Sequence, residues 1–180
     1  MVLKQKIHDA LLIELIKKDS NGKFPNLLKL VSDGNFSVKC SVDLKDKGCV
    51  DVVLTYPKHA ASSVIGDTLV VGMAGTNDIA FELVTDIDFD AGKKLEQVNR
   101  YKQGYHDVRV IIPEEYNSYS PLFSMNDVTV HTWTGTRRWK GKYCEHITEV
   151  KDSSEQPIEC ISCEKRELYF VGFKDDITFK

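Results

Sequence analysis

This sequence of 180 residues predicts an α/β layer fold, and three features carry the prediction. Apolar residues recur at helical spacing near the N-terminus, several segments then follow strand rules, and a second helical stretch leads into one more strand. Packing helices on a sheet buries the apolar faces of both. With 42% hydrophobic and 28% charged residues, the chain has enough apolar surface for a sizeable core.

Residues 3–18 form the first predicted helix, because Ile7, Leu11, Leu12, Leu15 and Ile16 fall on one stripe. Lys17 and Lys18 suit the negative end of its dipole. Asn21-Gly22 and Pro25 interrupt the chain, and residues 27–31 make a short helical turn before Asp33-Gly34. Phe36, Val38, Cys40 and Val42 alternate with polar neighbours, as in a strand covered on one face. Residues 49–56 read as a more continuously apolar strand, with Asp51 near its start and Pro57 at its end. A loop holding Ser62 and Ser63 comes next, then strands at 68–73 and 79–84 on either side of a turn at 75–78. Residues 90–103 make the second helix, capped by Asp86, Asp88 or Asp90 and ended near Gly104. Residues 108–112 are a strand closed by Pro113.

From Glu114 onward the character changes. Strands are expected at 128–133 and 168–173, and between them runs the basic, aromatic stretch GTRRWKGKYCEH. The expected organisation is a core at residues 1–113 with an extension, residues 114–180, packed on it.

The formal net charge of -3 gives no global pull toward nucleic acid, although a local basic patch can still carry phosphate contacts. The N-terminus lacks a signal-peptide pattern and no stretch reaches membrane-span length. The expectation is a soluble intracellular protein, cytoplasmic or nucleoid-associated. GDTLVVGMAGTND lacks the Lys-Ser/Thr of a phosphate-binding loop, and Ser62 and Ser63 sit in no nucleophile elbow. His59 and His106 read as loop residues, His106 following the second helix closely enough to lie near a site on it.

Two carboxylates stand out. On period-two logic Glu82 shares a strand face with Ala80 and Val84, and Asp51 is flanked by Val50 and Val52. A charge in an apolar strand is costly unless it is paired, hydrogen-bonded or bound to a metal. Singly, either residue is an ordinary strand-end charge facing solvent. Together, on neighbouring strands, they suit the oxygen preference of Mg²⁺ or Mn²⁺. Glu14 lies beside the apolar stripe of the first helix, placed either to reach such a site or to pair with a lysine.

This arrangement resembles the PD-(D/E)xK nuclease superfamily, the restriction-endonuclease-like fold, over residues 3–112. The resemblance implies an αβββαβ core around a metal site, with Glu14, Asp51 and Glu82 in the acidic positions. Gln97 and Tyr101 match the QxxxY element of the RecB-like and Cas4-like branch, and residues four apart share a helix face. Read without the family, Tyr101 is core and Gln97 its solvated neighbour. One departure matters: Val84 stands where the family's lysine follows the glutamate by two. Lys93 and Lys94, four and three residues before Gln97, are candidate replacements on the second helix. The alternative is two solvated lysines and a site that no longer cuts.

Cys144 and His146 form a CxH pair, and Cys160 and Cys163 a CxxC pair. Three sulfurs and an imidazole would make a closed, structural tetrahedral Zn²⁺ site, with His131 as a substitute for His146. The competing readings are buried free thiols or a redox CxxC. Cys40 and Cys49 read as small core hydrophobes.

Arg137, Arg138, Lys140 and Lys142 interleave with Trp133, Trp139 and Tyr143, a pattern suited to phosphate contacts and base stacking. Arg100 and Lys102 could extend that surface. A solvated basic loop with its tryptophans packed inward is the alternative. The expected function is a Mg- or Mn-dependent endo- or exonuclease acting on DNA. The alternatives are a catalytically inactive, nuclease-like DNA-binding protein or a member of a replication or repair assembly, with a homodimer compatible with either.

Overall fold

The computed structural model describes residues 3–32, 34–57, 62–65, 68–71, 76–85, 89–151, 157, 159–160, 162–164 and 167–180. Helix α1 spans Leu3–Leu15 and buries Ile7, Leu11 and Leu15, the stripe read from the sequence. It stops three residues short of the predicted end, and Asp19 then organises a turn by accepting the N–H groups of Asn21 and Lys23. Helix α2, Pro25–Leu30, places its proline where no intrahelical donor is needed and buries Leu27 and Leu30.

Strand β1 spans Ser37–Asp43 and β2 spans Cys49–Pro57. They are joined by a 3-10 turn, Lys45–Lys47, that ends on Gly48 at φ +104, a left-handed conformation natural only to glycine. Strands β3, Ser62–Ile65, and β4, Thr68–Val71, form their own two-stranded sheet. Ser62 and Ser63 therefore lie in a strand rather than the expected loop, and β4 covers the start of the strand expected at 68–73. Strand β5 is Thr76–Leu83, α3 is Ala91–Tyr101 and β6 is Asp107–Pro113. The cap of α3 is Asp90, whose side chain accepts the Lys93 N–H at 3.1 Å. The other two candidates, Asp86 and Asp88, lie outside the described residues.

After α4, Ser120–Ser124, come β7, Thr129–Thr134, and β8, Thr136–Gly141. They are followed by β9, Ile147–Lys151, β10, Leu168–Phe173, and β11, Thr178–Phe179. The main sheet runs β1-β2-β5-β6-β7-β11, and a three-stranded sheet runs β10-β8-β9. Strands β1, β2 and β5 pair antiparallel. Strands β5, β6 and β7 pair parallel, and α3 provides the crossover that a parallel neighbour requires.

Each face of the main sheet has its own core. One gathers Val52, Leu54, Phe81, Leu83 and Ile111 with α1, α2 and the inner residues of the second sheet, Trp139, Leu168 and Phe170. The other gathers Ala80, Val84, Val110 and Ile112 with Val98 and Tyr101 of α3 and Phe123 of α4. The expected division at residue 113 is not a layer boundary. Strands β7 and β11 complete the main sheet, because the apolar flank of β6 needs a covering strand. Among the described residues, no helix is long and apolar enough to cross a membrane.

Candidate active site

The β2–β5 ladder runs from Pro57 opposite Thr76 to Val52 opposite Phe81. Asp51 lies one residue beyond Val52 on β2, and Glu82 one residue beyond Phe81 on β5, just past the last paired positions of the ladder. The ladder gives way there because the Asp51 carboxylate itself accepts the Leu83 N–H, at 2.7 Å to Oδ2. Both carboxylates line a cleft of about 520 Å³ bounded by α1, β2, β5 and the start of α3.

Glu82 is only 4% exposed. It lies on the face of Ala80 and Val84, which belong to the α3-side core, while Phe81 and Leu83 pack on the other side. Lys94 reaches it from α3, with Nζ 2.5 Å from Oε1, and the same ammonium donates to Gln97 Oε1 at 2.8 Å. Gln97 Nε2 donates to the Tyr101 hydroxyl, which donates to the Cys49 carbonyl at 2.7 Å. One hydrogen-bonded row thus ties Glu82 to the α3 side chains and back to β2.

Burial, and then repulsion from Asp51, push the Glu82 carboxyl up to about 7, against the pull of Lys94. His8 of α1 places Nε2 3.1 Å from Asp51 Oδ1, and that hydrogen bond raises its pKa above the ordinary value near 6.5 despite partial burial. Burial likewise pushes the Tyr101 phenol up. The second Glu82 oxygen, Oε2, is buried with no hydrogen-bond partner among the described residues, in a cleft lined by the acids Asp9, Asp51 and Asp90 and by the cations Lys4, Lys93 and Lys94.

The structure sorts the residues singled out from the sequence. Asp51, Glu82, Lys94 and Gln97 line one cleft, and Tyr101 anchors the row behind them. Lys93 stands at the rim, 84% exposed and 3.5 Å from Asp90, so the two adjacent lysines are not equivalent. Glu14 does not line the cleft: its carboxylate pairs with Lys17 at 3.2 Å. The α1 side chain bonded to the carboxylates is His8, which the sequence reading missed. His8 falls beside Ile7 at the polar margin of the stripe, at i, i+4 spacing from Lys4 and Leu12, which line the same cleft. His106 lines a different cleft with Asp78 and Arg109, and His59 lies outside the described residues.

Residues 136–141 of the basic, aromatic stretch form strand β8, not the solvated loop of the alternative reading. Trp139 is 1% exposed and packs edge-on against Phe170, and Trp133 is buried with its indole N–H donating to the Val84 carbonyl at 2.8 Å. Neither indole is open to a base, because both close gaps between sheets. Arg137 is buried over the Trp133 ring. Arg138, Lys140 and Lys142 are paired with Glu149, Glu145 and Glu167, so acidic neighbours offset much of their charge. Arg100 is exposed on α3 outside the cleft lining, and Lys102 donates to the Asn126 carbonyl.

Cys144, Cys160 and Cys163 bring their sulfurs within 4.8 Å of one another and could hold a metal ion such as zinc. Neither His146 nor His131 joins them. His146 is exposed, and His131 sits on β7 with its ring against Phe81 and Nδ1 near the Lys180 carbonyl. Cys40 and Cys49 are exposed rather than core, because β1 is an edge strand and the Cys49 end of β2 opens onto the cleft. No protein-family model, curated protein or solved structure matches the chain.

Proposed function

We propose that the chain is a divalent-metal-dependent nuclease hydrolysing DNA phosphodiester bonds, on a restriction-endonuclease-like core formed by α1, β1, β2, β5, α3 and β6. The observation that carries this reading is the cleft shared by Asp51 and a buried Glu82 whose Oε2 has no hydrogen-bond partner among the described residues, while the Lys94 ammonium takes the other oxygen. Two carboxylates near enough for Asp51 to oppose ionisation of Glu82 repel each other, and Mg²⁺ or Mn²⁺ is a partner that such oxygens favour. Asp51 and Glu82 would hold the ion, with His8 orienting Asp51 through their hydrogen bond. The ion would polarise a phosphate and lower the pKa of an attacking water.

The protein's own groups supply the rest. Lys94 replaces the lysine that Val84 displaces from β5: its cation arrives from α3 at the same carboxylate and is fixed by Gln97. There it can stabilise charge developing on the phosphate in the transition state. The Tyr101–Gln97 link holds that ammonium in one place, so little reorganisation is needed when the substrate binds. The cysteine cluster serves separately on this reading, as a structural zinc site, because thiolates select zinc over Mg²⁺ or Mn²⁺.

The test is DNA cleavage on single-stranded, duplex and branched substrates with Mg²⁺ or Mn²⁺. Asp51→Asn and Glu82→Ala should abolish cleavage. Lys94→Ala should lower it by about 10²–10³-fold, as expected for loss of one transition-state charge contact, and Lys93→Ala should leave it nearly unchanged. Cleavage surviving in Glu82→Ala would refute the reading. A parent chain that binds the ion and DNA without cutting would favour the alternative, a non-cutting nuclease-like protein in which the Lys94–Glu82 ion pair has closed the site.

A further inference from the structure

The cysteine cluster joins two stretches of chain around the second sheet. Cys144 lies in the turn between β8 and β9, and Cys160 and Cys163 lie in the segment leading into β10. Cys144 Sγ is 3.5 Å from Cys160 Sγ and 3.3 Å from Cys163 Sγ. These separations are well beyond a sulfur–sulfur bond and close to the roughly 3.7 Å between corners of a tetrahedron with zinc–sulfur bonds of about 2.3 Å. Gly141 leaves the space this needs, since a Cβ there would stand 2.6 Å from Cys144 Sγ.

The cluster is continuous with one core and not the other. Cys160 is buried among Trp139, Leu168 and Phe170, and Cys144 and Cys163 pack against them. Ile7, Leu11 and Leu15 of α1 belong to the same core, and β10 packs directly on α1. Helix α3 and its contacts with β6 lie in the second core.

We propose that one zinc ion held by the Cys144, Cys160 and Cys163 thiolates ties the β8–β9 turn to the segment leading into β10, and through the packing of β10 on α1 steadies the helix that carries His8 into the cleft. Three thiolates of this geometry select zinc over the harder cations suited to Asp51 and Glu82. The fourth donor is a nitrogen or oxygen from the solvent side, where Cys144 and Cys163 are only half-buried. The relevance to the cleft rests on the nuclease reading, whereas the clamp itself does not.

Metal analysis of the purified full chain should give about one zinc per chain, and X-ray absorption should show three sulfurs and one lighter donor. Hydrogen exchange is then followed before and after zinc removal by a chelator. Exchange should quicken at least tenfold in α1 and β10 and stay unchanged in α3 and β6, with protection restored by Zn²⁺ but not by Mg²⁺. Cys163→Ser should reproduce the zinc-free pattern without a chelator. A zinc-free folded chain, two or fewer sulfur ligands, unaltered exchange in α1, or equal loosening of α3 and β6 would each overturn the proposal. Failure of the DNA-cleavage test would leave all these exchange results standing, so the two ideas fail separately.

Discussion

At Glu82 three forces meet: burial and the neighbouring Asp51 oppose ionisation, and Lys94 favours it. Burial and repulsion win, and the carboxyl rises from an ordinary value near 4.5 to about 7. A raised folded pKa means the native state holds this proton more tightly than the unfolded chain. The resulting stability is full below pH 4.5 and is lost as pH rises through about 7. His8, raised by its bond to Asp51, acts in the same direction, its contribution fading above its own ordinary value near 6.5. Without divalent metal, the melting temperature should therefore fall between pH 5 and pH 8 for these groups, and Glu82→Gln should flatten much of that slope. An equal slope in parent and variant would show that Glu82 is not the titrating group. Single residues also show why Lys93 and Lys94 look alike in sequence. One position around the helix separates a rim lysine bonded to Asp90 from one turned onto the buried carboxylate.

Helix α3 is the element on which the proposed chemistry depends most. Asp90 starts it, Val98 and Tyr101 bury its inner face, and Gln97 and Tyr101 connect Lys94 to β2. Tyr101→Phe removes the only hydroxyl in that row while keeping the ring in the core. It should destabilise the fold by about 1–2 kcal/mol, the usual cost of leaving a buried acceptor unpaired, as read by denaturant unfolding. It should also lower kcat more than KM, because Gln97 then loses the partner that fixes it on Lys94. A kcat unchanged in Tyr101→Phe would argue against the row as a positioning device. This helix was legible because cap, inner stripe and four-residue spacing all agree in one short stretch. Strand β8 was not, because its cations mask the alternation: Arg137 lies buried along Trp133, while Lys140 keeps its head with Glu145. Long basic side chains cover apolar surface with their stems, which a residue-type pattern reads as polar.

Across the whole molecule the two cores are stitched by the main sheet, whose last strands come from beyond residue 113. A chain truncated after Pro113 would uncover Ile111 and Phe81 and leave β6 as a bare edge. It should fail to give a native dispersed spectrum, and the full chain should melt in one cooperative step by both fluorescence and circular dichroism. Two resolved transitions split near residue 113 would restore the two-part organisation. By itself the sequence determined the helices at α1 and α3, the strands that carry Asp51 and Glu82, and the cysteines able to meet, since local periodicity and spacing encode such features. Only the tertiary structure decided that His8 and not Glu14 enters the cleft, that Lys94 and not Lys93 meets Glu82, and that Trp133 and Trp139 turn inward. Those outcomes depend on how helices rotate and sheets stack against one another, through contacts between residues far apart in the chain that no local pattern records.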